Sequence, residues 1–346
     1  MNGKSLILAV DMGGSKTNLG LFEAARPLLP LQQATCRTRD FSDTRALLDH
    51  FLADCGRPPV RHACLGVPGP VFANCSTTTN LPWLINGDQL AGELGIERVT
   101  LVNDLVATAA ALPHLAGEEL FTINPGRPRR EGNLAVLSPG TGLGEAFVTV
   151  DSRGAHTPHA SEGGHADFAP NSAEEVELLA WLREIVGHVS YELVCSSLGL
   201  VNIYNFLKAR GELAEPEWLA GQMQKAADPS RVLVEGSLEQ ETPCDLCLET
   251  MKIFVSILGA EAGNLALKTM ATGGVYIGGG ITPRITGILD SQLFLKNFLN
   301  KGRLSELLSE VPVRVIMNPR APVLGAAHLA LQAAGEELPG GQIFYR

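Results

Sequence analysis

A glycine pair near the amino terminus is preceded by an aspartate and followed by polar side chains, in the segment Asp11-Met-Gly-Gly-Ser-Lys-Thr17. Adjacent glycines can adopt positive φ and leave backbone N–H groups uncovered, so these groups can donate to phosphate oxygens. Lys16 adds a positive charge and Thr17 a hydroxyl, while the Asp11 carboxylate suits Mg²⁺ beside a nucleotide. An ordinary hairpin turn also tolerates a glycine pair but gains nothing from the aspartate. The segment therefore predicts a phosphate-binding turn with a Mg²⁺ carboxylate.

A second glycine turn, Gly140-Thr-Gly-Leu-Gly144, lies between two apolar stretches. It differs from the dinucleotide-binding fingerprint G-x-G-x-x-G because it is one residue short and leads into a strand rather than a helix. The first turn likewise differs from a Walker A loop, because Ser15 separates Gly14 from Lys16. Neither of these two common nucleotide-binding motifs is therefore predicted.

Asn103 and Asp104 directly follow an apolar strand and begin a predicted helix. An aspartate at this place is a common N-cap, which is one interpretation. The other is a general base, because a helix N-terminus favours the anion and keeps its pKa low. Such a base suits phosphoryl transfer, in which it orients the attacking hydroxyl and takes the proton late. The pair alone leaves both interpretations open.

The segment Ser161-Glu-Gly-Gly-His165-Ala-Asp167 places a carboxylate and an imidazole three residues apart. Gly163 and Gly164 disfavour a helix there, so a helical metal-binding pair is not the preferred interpretation. Glu162 and His165 on a glycine-rich loop instead suit directed hydrogen bonds to a polyol.

Strands and helices must position these segments. Short apolar runs bounded by glycine, proline or polar residues predict buried strands over Leu6–Val10, Leu19–Phe22, Ala63–Val67, Val99–Val102, Leu134–Leu137, Ala146–Val150 and Val275–Ile277. Helical spacing and capping signals predict helices over Leu105–Leu112, Glu174–Val186, Leu246–Met270 and Leu324–Ala334. A strand, a glycine turn and a returning strand occur twice, which indicates an internal duplication.

Composition narrows the function classes. A length of 346 residues suggests about two domains, and an apolar content of 45% excludes disorder of the whole chain. A formal net charge of −10 gives no general attraction for nucleic acid or anionic membranes. No apolar stretch reaches the length of a signal-peptide core or a membrane span, and the scattered cysteines suit free thiols. We expect a cytoplasmic protein without nucleic-acid or membrane partners. The lone pair Cys244 and Cys247 lacks the second cysteine pair or histidine of a structural zinc site, so we expect ordinary thiols on one face of a helix.

Together these segments resemble bacterial glucokinases of the hexokinase and actin-like ATPase superfamily. The most specific stretches are Ser161-Glu-Gly-Gly-His-Ala-Asp-Phe-Ala-Pro-Asn-Ser172, Gly187-His-Val-Ser190, Gly199-Leu-Val-Asn202 and Gly273-Gly-Val-Tyr-Ile-Gly-Gly-Gly-Ile-Thr-Pro-Arg284. The resemblance covers nearly the whole chain and implies an α/β, two-domain actin-like ATPase (ribonuclease H-like) fold with an interdomain cleft. We expect a small domain over 1–113 plus 323–346, closed by the C-terminal helix, and a large domain over 114–322.

The resemblance also implies roles by position, with Asp104 as the base for the sugar 6-hydroxyl. The positions that match sugar-binding residues are Asn80, Asn103, Asp104, Glu162, His165 and Glu192. The positions that match nucleotide-binding segments are Asp11, Gly13, Gly14, Ser15, Lys16, Thr17, Gly140, Thr141, Gly142, Gly279 and Gly280. The implied cofactors are ATP and Mg²⁺, the ion being held by Asp11 through water.

Two places depart from the family pattern. The first turn usually has Thr and Asn after the glycine pair and then an Arg, whereas this chain has Ser15-Lys-Thr-Asn18. Ser138-Pro139 precedes the second turn, where a small residue or glycine is common. The related repressor and sugar-kinase (ROK) family carries a cysteine-rich zinc motif after its Glu-x-x-His, and no such motif follows His165.

The expected function is ATP-dependent phosphorylation of glucose at the 6-hydroxyl, by in-line transfer with Asp104 as base. A kinase for another hexose or an N-acetyl hexosamine and a non-catalytic sugar sensor are the alternatives. The set Glu162, His165 and Glu192 argues against an actin-type polymerising ATPase, which needs no sugar site. We expect glucose or a similar hexose as the partner and a homodimer as the assembly. The sequence does not choose between ATP, ADP and polyphosphate as donor.

Overall fold

The computed structural model describes residues 5–26, 29–77, 83–239, 244–289 and 292–334. Its strands are β1 (Leu6–Met12), β2 (Lys16–Glu23), β3 (Pro30–Arg37), β4 (Val60–Val67), β5 (Cys75–Thr77), β6 (Leu84–Asn86), β7 (Arg98–Asn103), β8 (Leu120–Asn124), β9 (Leu134–Pro139), β10 (Leu143–Val150), β11 (His156–Ser161), β12 (Gly274–Ile277) and β13 (Val313–Ile316). Its α-helices are α1 (Thr44–Asp54), α2 (Gly87–Leu94), α3 (Asp104–Ala111), α4 (Ala173–Val186), α5 (Ser197–Arg210), α6 (Glu217–Lys225), α7 (Pro229–Leu238), α8 (Asp245–Thr269), α9 (Thr286–Leu289), α10 (Gln292–Leu299), α11 (Ser305–Ser309) and α12 (Ala321–Ala333).

The chain divides into two compact units. The first comprises Met1–Glu119, Ala155–Ala160 and Asn318–Arg346, and the second comprises Leu120–Gly154 and Ser161–Met317. Most of β11 therefore belongs to the first unit, although segments of the second unit flank it in the sequence.

The sheet of the first unit has the strand order β3-β2-β1-β4-β7. β1 and β2 form the predicted hairpin, in which Ile7 lies opposite Phe22 and Val10 opposite Leu19. β1, β4 and β7 run parallel, so their carboxyl ends lie at the same edge of the sheet. β1 is buried along almost its whole length, as expected for a parallel strand covered on both faces.

Small residues let two helices approach this sheet closely. A Cβ atom at Gly325 of α12 would overlap the carbonyl oxygen of Ala107 of α3. A Cβ atom at Gly66 of β4 would lie 3.1 Å from the Cβ of Ala107 and 3.5 Å from the Cα of Asp104. This packing holds α3, and with it Asp104 in its first turn, against the end of the sheet.

In the second unit the strands β10-β9-β12-β13-β8 are successive neighbours in one sheet. β9, β12 and β13 run parallel, whereas β10 returns antiparallel to β9 as predicted. The helix α8 is buried over much of its length and joins the apolar core below this sheet. None of the helices in the described part of the chain combines the length and apolarity that a membrane span requires.

The helix starts of the second unit follow the capping signals of the sequence. The Oγ of Ser172 accepts the N–H of Glu175 at 3.1 Å, and the Glu175 carboxylate accepts the N–H of Asn171 at 2.7 Å. Cys244 caps α8 through its sulfur, which accepts the N–H of Cys247 at 3.3 Å. Both thiols are free and buried, so they form part of the helix start.

Candidate active site

The parallel strands of the first unit bring two predicted site segments to one sheet edge. Asp11 of β1 pairs with Gly66 of β4, and the next residue, Val67, pairs with Asn103 of β7. Asp11 and Asn103 therefore lie two strand spacings apart, roughly 10 Å. The sequence alone does not show that these two residues are close in space, because about ninety positions separate the two segments along the chain.

Asp11 is held at the base of the first glycine turn. Its Oδ2 accepts a hydrogen bond from Nδ2 of Asn18 at 3.1 Å, and Oδ1 of Asn18 accepts one from the Thr35 hydroxyl at 2.9 Å. Burial raises the pKa of Asp11, and the Asn18 hydrogen bond opposes that shift. A cation bound beside the carboxylate would compensate for the lost solvation of its charge.

The first turn closes through backbone and hydroxyl contacts. The N–H of Gly13 donates to the carbonyl of Lys16 at 2.9 Å, and the Thr38 hydroxyl donates to the carbonyl of Gly13 at 2.7 Å. The Thr17 hydroxyl is fully buried and pairs with that of Thr38 at 2.9 Å, so it stabilises the turn from below. The exposed or partly exposed members of the turn are Gly13, Gly14, Ser15 and Lys16.

Asn103, rather than Asp104, is the N-cap of α3. Its Oδ1 accepts the N–H groups of Leu105 and Val106 at 2.9 and 3.3 Å, and its Nδ2 donates to the carbonyl of Gly69 at 3.3 Å. Asp104 is the first helical residue, is partly buried, and accepts the Leu105 N–H at 2.9 Å through Oδ1. The N-cap interpretation therefore applies to Asn103, and the Asp104 carboxylate stands beside the cap at the positive end of the helix.

The second glycine turn lies at the start of a helix. The N–H of Gly140 donates to the carbonyl of Gly142 at 2.8 Å, and the N–H of Ser197, the first residue of α5, donates to the carbonyl of Gly140 at 2.7 Å. Thr141, at the tip, is exposed. The N–H groups and the positive end of a helix of 14 residues therefore lie beside this turn, an arrangement that favours anions.

The second glycine turn is also in contact with the glycine run after β12. Gly279 has φ +87°, and a Cβ atom there would overlap the carbonyl oxygen of Pro139, the residue before Gly140. The N–H of Gly278 donates to the carbonyl of Leu137 at 2.8 Å. Beside Gly280 there is open space within 4 Å of the position of a Cβ atom. Tertiary structure thus joins Gly279 and Gly280 to the Gly140 turn as one bare backbone surface.

Glu192 lies between the second glycine turn and His165. Its Oε2 accepts the N–H of Leu143 at 3.0 Å, and a Cβ atom at Gly142 would overlap that oxygen. Oε1 of Glu192 is 4.0 Å from Nδ1 of His165, which is 62% exposed. Glu162 is exposed and precedes the short turn Gly163–His165. The second unit therefore brings Glu192 and His165 together, while Asn80 lies outside the described residues.

Two supporting residues carry no signal in the local sequence. Thr38 closes the first turn from a position 25 residues away from Gly13. Ser197 closes the second turn from the start of α5. Both bonds depend on where another element packs, and a motif search along the chain does not detect them.

The described residues hold no cluster of three or more His, Cys, Asp or Glu side chains placed to bind a metal ion. Mg²⁺ in phosphoryl-transfer sites is usually held by one or two carboxylates together with phosphates and water. The single oriented carboxylate of Asp11, beside exposed turn residues, fits that second type of site.

Comparison with known proteins identifies the family to which the chain is similar. A family model described as Glucokinase matches residues 8–333 of the chain. A glucokinase of Nostoc punctiforme is 37% identical over 337 residues, which cover 93% of this chain and 98% of that protein.

Solved structures show the same likeness. The crystal structure of glucokinase from an Antarctic psychrotroph aligns with a TM-score of 0.80 and 28% identity, covering 95% of this chain and 99% of that one. The structure of a Balamuthia mandrillaris glucokinase in complex with glucose aligns with a TM-score of 0.74 and 20% identity, covering 95% and 94%. The second likeness concerns the fold alone. The predicted α/β fold class of two-domain actin-like ATPases is confirmed.

Proposed function

Since the chain belongs to the glucokinase family, we propose that it transfers the γ-phosphoryl group of ATP to the 6-hydroxyl of glucose. The main support for this chemistry comes from the start of α3. Asn103 caps the helix there, and the Asp104 carboxylate lies beside the cap. We further propose membership of the hexokinase and actin-like ATPase superfamily, a cytoplasmic location and a homodimer.

Asp104 acts as the general base. Its carboxylate orients the 6-hydroxyl and takes its proton as the oxygen attacks the γ-phosphorus, while the bond to the bridging oxygen breaks and ADP leaves. The positive end of α3 favours a negative charge at this position. The Asn103 amide donates one hydrogen to Gly69, and its second hydrogen is available to a hexose hydroxyl.

The backbone of the two glycine turns binds the phosphates, and Gly279 and Gly280 accommodate the adenosine. Both surfaces are places where a side chain would block the approach. Asp11 would hold Mg²⁺ through water, and the bound ion would offset the charge of the phosphates. Lys16 is exposed and adds a positive charge to the first turn.

Glu162, His165 and Glu192 bind the sugar hydroxyls, together with Asn80. A carboxylate accepts from a hydroxyl and an imidazole can both accept and donate, so the set distinguishes hydroxyl orientation. The Leu143 N–H donates to one oxygen of Glu192. This hydrogen bond limits the rotation of the carboxylate, so the position of the other oxygen, which would accept from a sugar hydroxyl, is restricted as well.

A coupled assay over glucose, mannose, fructose and N-acetylglucosamine, with ATP, ADP and polyphosphate as donors, tests the function. Glucose with ATP should give the highest kcat/KM, and a chain that phosphorylates no hexose contradicts the proposal. Asp104→Asn should lower kcat by about 10²- to 10⁴-fold, the range for a lost general base, while glucose still binds.

A matched control is Asp43→Asn at the start of α1. Asp43 caps that helix by accepting the N–H of Ala46 at 2.8 Å. Near-normal turnover of Asp43→Asn beside a strong loss in Asp104→Asn shows that the loss is specific to the carboxylate at the start of α3. Near-normal turnover of Asp104→Asn would contradict the assignment of Asp104 as the general base.

A further inference from the structure

Glu145, on β10, is a buried carboxyl for which the proposed reaction has no use. It lies opposite Leu137 of β9 and is only 2% exposed. Among the described residues its Oε1 has no hydrogen-bond partner. An ionised carboxylate in such a place is costly unless charge or hydrogen bonds compensate it.

The Glu145 carboxyl supports the turn between Glu162 and His165. A Cβ atom at Gly163 would overlap its Oε2 and lie 2.9 Å from its carboxyl carbon. The Gly163 N–H is occupied by the Ser161 hydroxyl at 3.0 Å. The backbone of Gly163 therefore rests directly on Glu145, and any movement of that carboxyl displaces the turn.

A second buried carboxyl acts on the first through its charge. Glu261 of α8 is fully buried, and its negative charge disfavours a second negative charge on Glu145. The Glu145 carboxyl is itself buried, with an Oε1 that has no partner among the described residues, so it keeps its proton more readily than an exposed glutamate does. Burial and the negative charge of Glu261 raise the pKa of Glu145 to about 7, and the positive charge of Lys268 opposes the shift.

Glu261 is also connected to the sugar-binding side of the unit. Its oxygens accept hydrogen bonds from Asn264 Nδ2 at 2.8 Å and from Lys268 Nζ at 3.2 Å. Asn264 Nδ2 also donates to the Tyr191 hydroxyl at 2.9 Å, and Tyr191 directly precedes Glu192. The Tyr191 N–H donates to the carbonyl of Ala166, next to His165, at 3.0 Å.

The Cys195 thiol and the Tyr191 phenol near Glu145 and Glu261 keep their protons where Glu145 loses its own. Burial and the charges of Glu261 and Glu145 raise the pKa of the fully buried Cys195 thiol well above its usual value. Burial raises the pKa of Tyr191 as well, with the Glu261 charge adding to it. Burial lowers the pKa of Lys301, and Glu261 opposes that shift.

On the basis of the kinase function above, we propose that Glu145 is a positioning residue for the Glu162–His165 turn. Its protonated, neutral carboxyl keeps the turn in its sugar-binding position. When that proton passes to solvent, the new carboxylate is buried without compensation and is repelled by the charge of Glu261. Glu145 then moves, and because Gly163 rests on it, the turn moves as well and sugar binding weakens. This positioning makes the KM for glucose depend on pH, with little effect on kcat.

The test measures the KM for glucose and kcat from pH 6 to 9 for the wild type, Glu145→Gln and Glu261→Gln. The wild-type KM should rise several-fold above the pKa of about 7. Glu145→Gln should show a flat KM, because a neutral amide has no proton to lose. Glu261→Gln should move the rise in KM to lower pH, because the charge that helps to raise the pKa of Glu145 is gone. A merely structural role would shift KM at every pH and leave its slope unchanged.

Glu175→Gln is the matched control. Glu175 is also 2% exposed and accepts bonds from the Asn171 N–H and the Ser256 hydroxyl, away from Gly163. Its KM should follow the wild-type pH profile. A KM in Glu145→Gln that rises with pH as in the wild type overturns the proposal.

Infrared spectroscopy with ¹³C-labelled glutamate detects the Glu145 proton without catalysis. A protonated carboxyl band at pH 6 in the wild type should be missing in Glu145→Gln, and its absence from the wild type overturns the proposal. A wild type that phosphorylates no hexose overturns the proposed function and this role with it. An active wild type with a pH-independent KM overturns this role alone.

Discussion

The two glycine turns have the same local plan and different surroundings. Each joins a buried strand to an antiparallel returning strand, β1 to β2 in one unit and β9 to β10 in the other. Two positions before the first glycine, one turn has Asp11 and the other has Ser138. The first turn is closed by the Thr38 hydroxyl, and the second by the N–H of Ser197 at the start of α5.

This difference shows that the glycines leave the backbone accessible in both turns, whereas the neighbouring side chains determine which ligand group each turn suits. Both turns expose backbone that a phosphate can approach. The first combines that surface with a carboxylate, which suits a metal-bound phosphate. The second combines it with a helix start and with Glu192, which suits a phosphate beside a sugar. We therefore propose that the two similar hairpins differ in role because of the residues packed around them.

Asp11→Asn tests the difference most strongly. Removing the carboxylate should lower kcat by roughly 100- to 1000-fold, since a metal ion supplies several kcal/mol of charge stabilisation. Glucose binding, measured by calorimetry, should stay near the wild-type value. Ser138→Ala changes the equivalent position of the other turn and should have a small effect. Equal losses in the two variants would contradict the division of roles.

Thr38→Val should open the first turn without touching the second. It leaves the carbonyl of Gly13 and the hydroxyl of Thr17 without their partner. Since each buried group left unsatisfied costs about 1–3 kcal/mol, the loss of two partners should lower the free energy of unfolding by roughly 2–6 kcal/mol. Urea unfolding measures the change. A loss below about 0.5 kcal/mol, the usual effect of a surface substitution, would show that Thr38 is not a support of the turn.

The two units should also respond to opposite ends of the pH range. Burial is the main cause that lowers the pKa of His114 to about 4 and of His328 to about 3, with neighbouring histidines adding to it. Their rings lie 3.9 Å apart in the first unit. Because an unfolded histidine has a pKa of about 6.5, the unfolded state takes up more protons as pH falls, and stability declines. The raised pKa of Glu145 acts in the other direction, so its contribution is lost as pH rises through about 7.

His328→Gln measures the acid side of this contrast. Between pH 7 and pH 5 the wild type should lose up to about 2 kcal/mol of unfolding free energy for each of the two histidines. The variant should lose less, because one of the two groups no longer titrates. Urea unfolding at both pH values gives the result. The same pH-dependent loss in the two proteins would contradict the assignment.

Gly142→Ala and Gly13→Ala should have the smallest effects, and they test whether each turn affects a different substrate. A methyl at Gly142 would meet the end of the Glu192 side chain, which can rotate away and give up the Leu143 bond. The KM for glucose should rise about tenfold, since a hydrogen bond to a charged group contributes about 1.5–3 kcal/mol. At Gly13 the methyl would lie 2.7 Å from the backbone oxygen of Lys16, which cannot rotate away.

Gly13→Ala should therefore raise the KM for ATP and lower stability by about 1–3 kcal/mol, as overpacking does. Its KM for glucose should stay near the wild-type value. Steady-state kinetics with each substrate varied in turn separates the two effects. A rise in the KM for glucose in both variants would mean that the turns do not divide the substrates.

Local pattern predicts much of this molecule correctly. The two hairpins, seven of the thirteen described strands and α3, α4, α8 and α12 follow from apolar runs, glycine punctuation and capping residues that are close neighbours in the chain. The remaining strands and helices, and the parallel pairing, were not predicted. Ser172 indeed starts α4, and the apolar segment from Leu6 forms a buried strand. The residue types that suit phosphate and sugar binding can be recognised in the same way, because each motif occupies only a few consecutive positions.

Contacts between distant positions required the folded chain. The N-cap role went to Asn103 rather than Asp104 because a hydrogen bond depends on the direction of a side chain. The segment Ala155–Ala160 belongs to the first unit although its sequence neighbours do not. Glu145 lies against Gly163 and is affected by the charge of Glu261 only after β10, the turn and α8 have packed together. Periodicity determines which face of an element is buried, and packing determines which neighbours that face contacts. The surroundings that favour a proton on Glu145 therefore could not be predicted from the sequence.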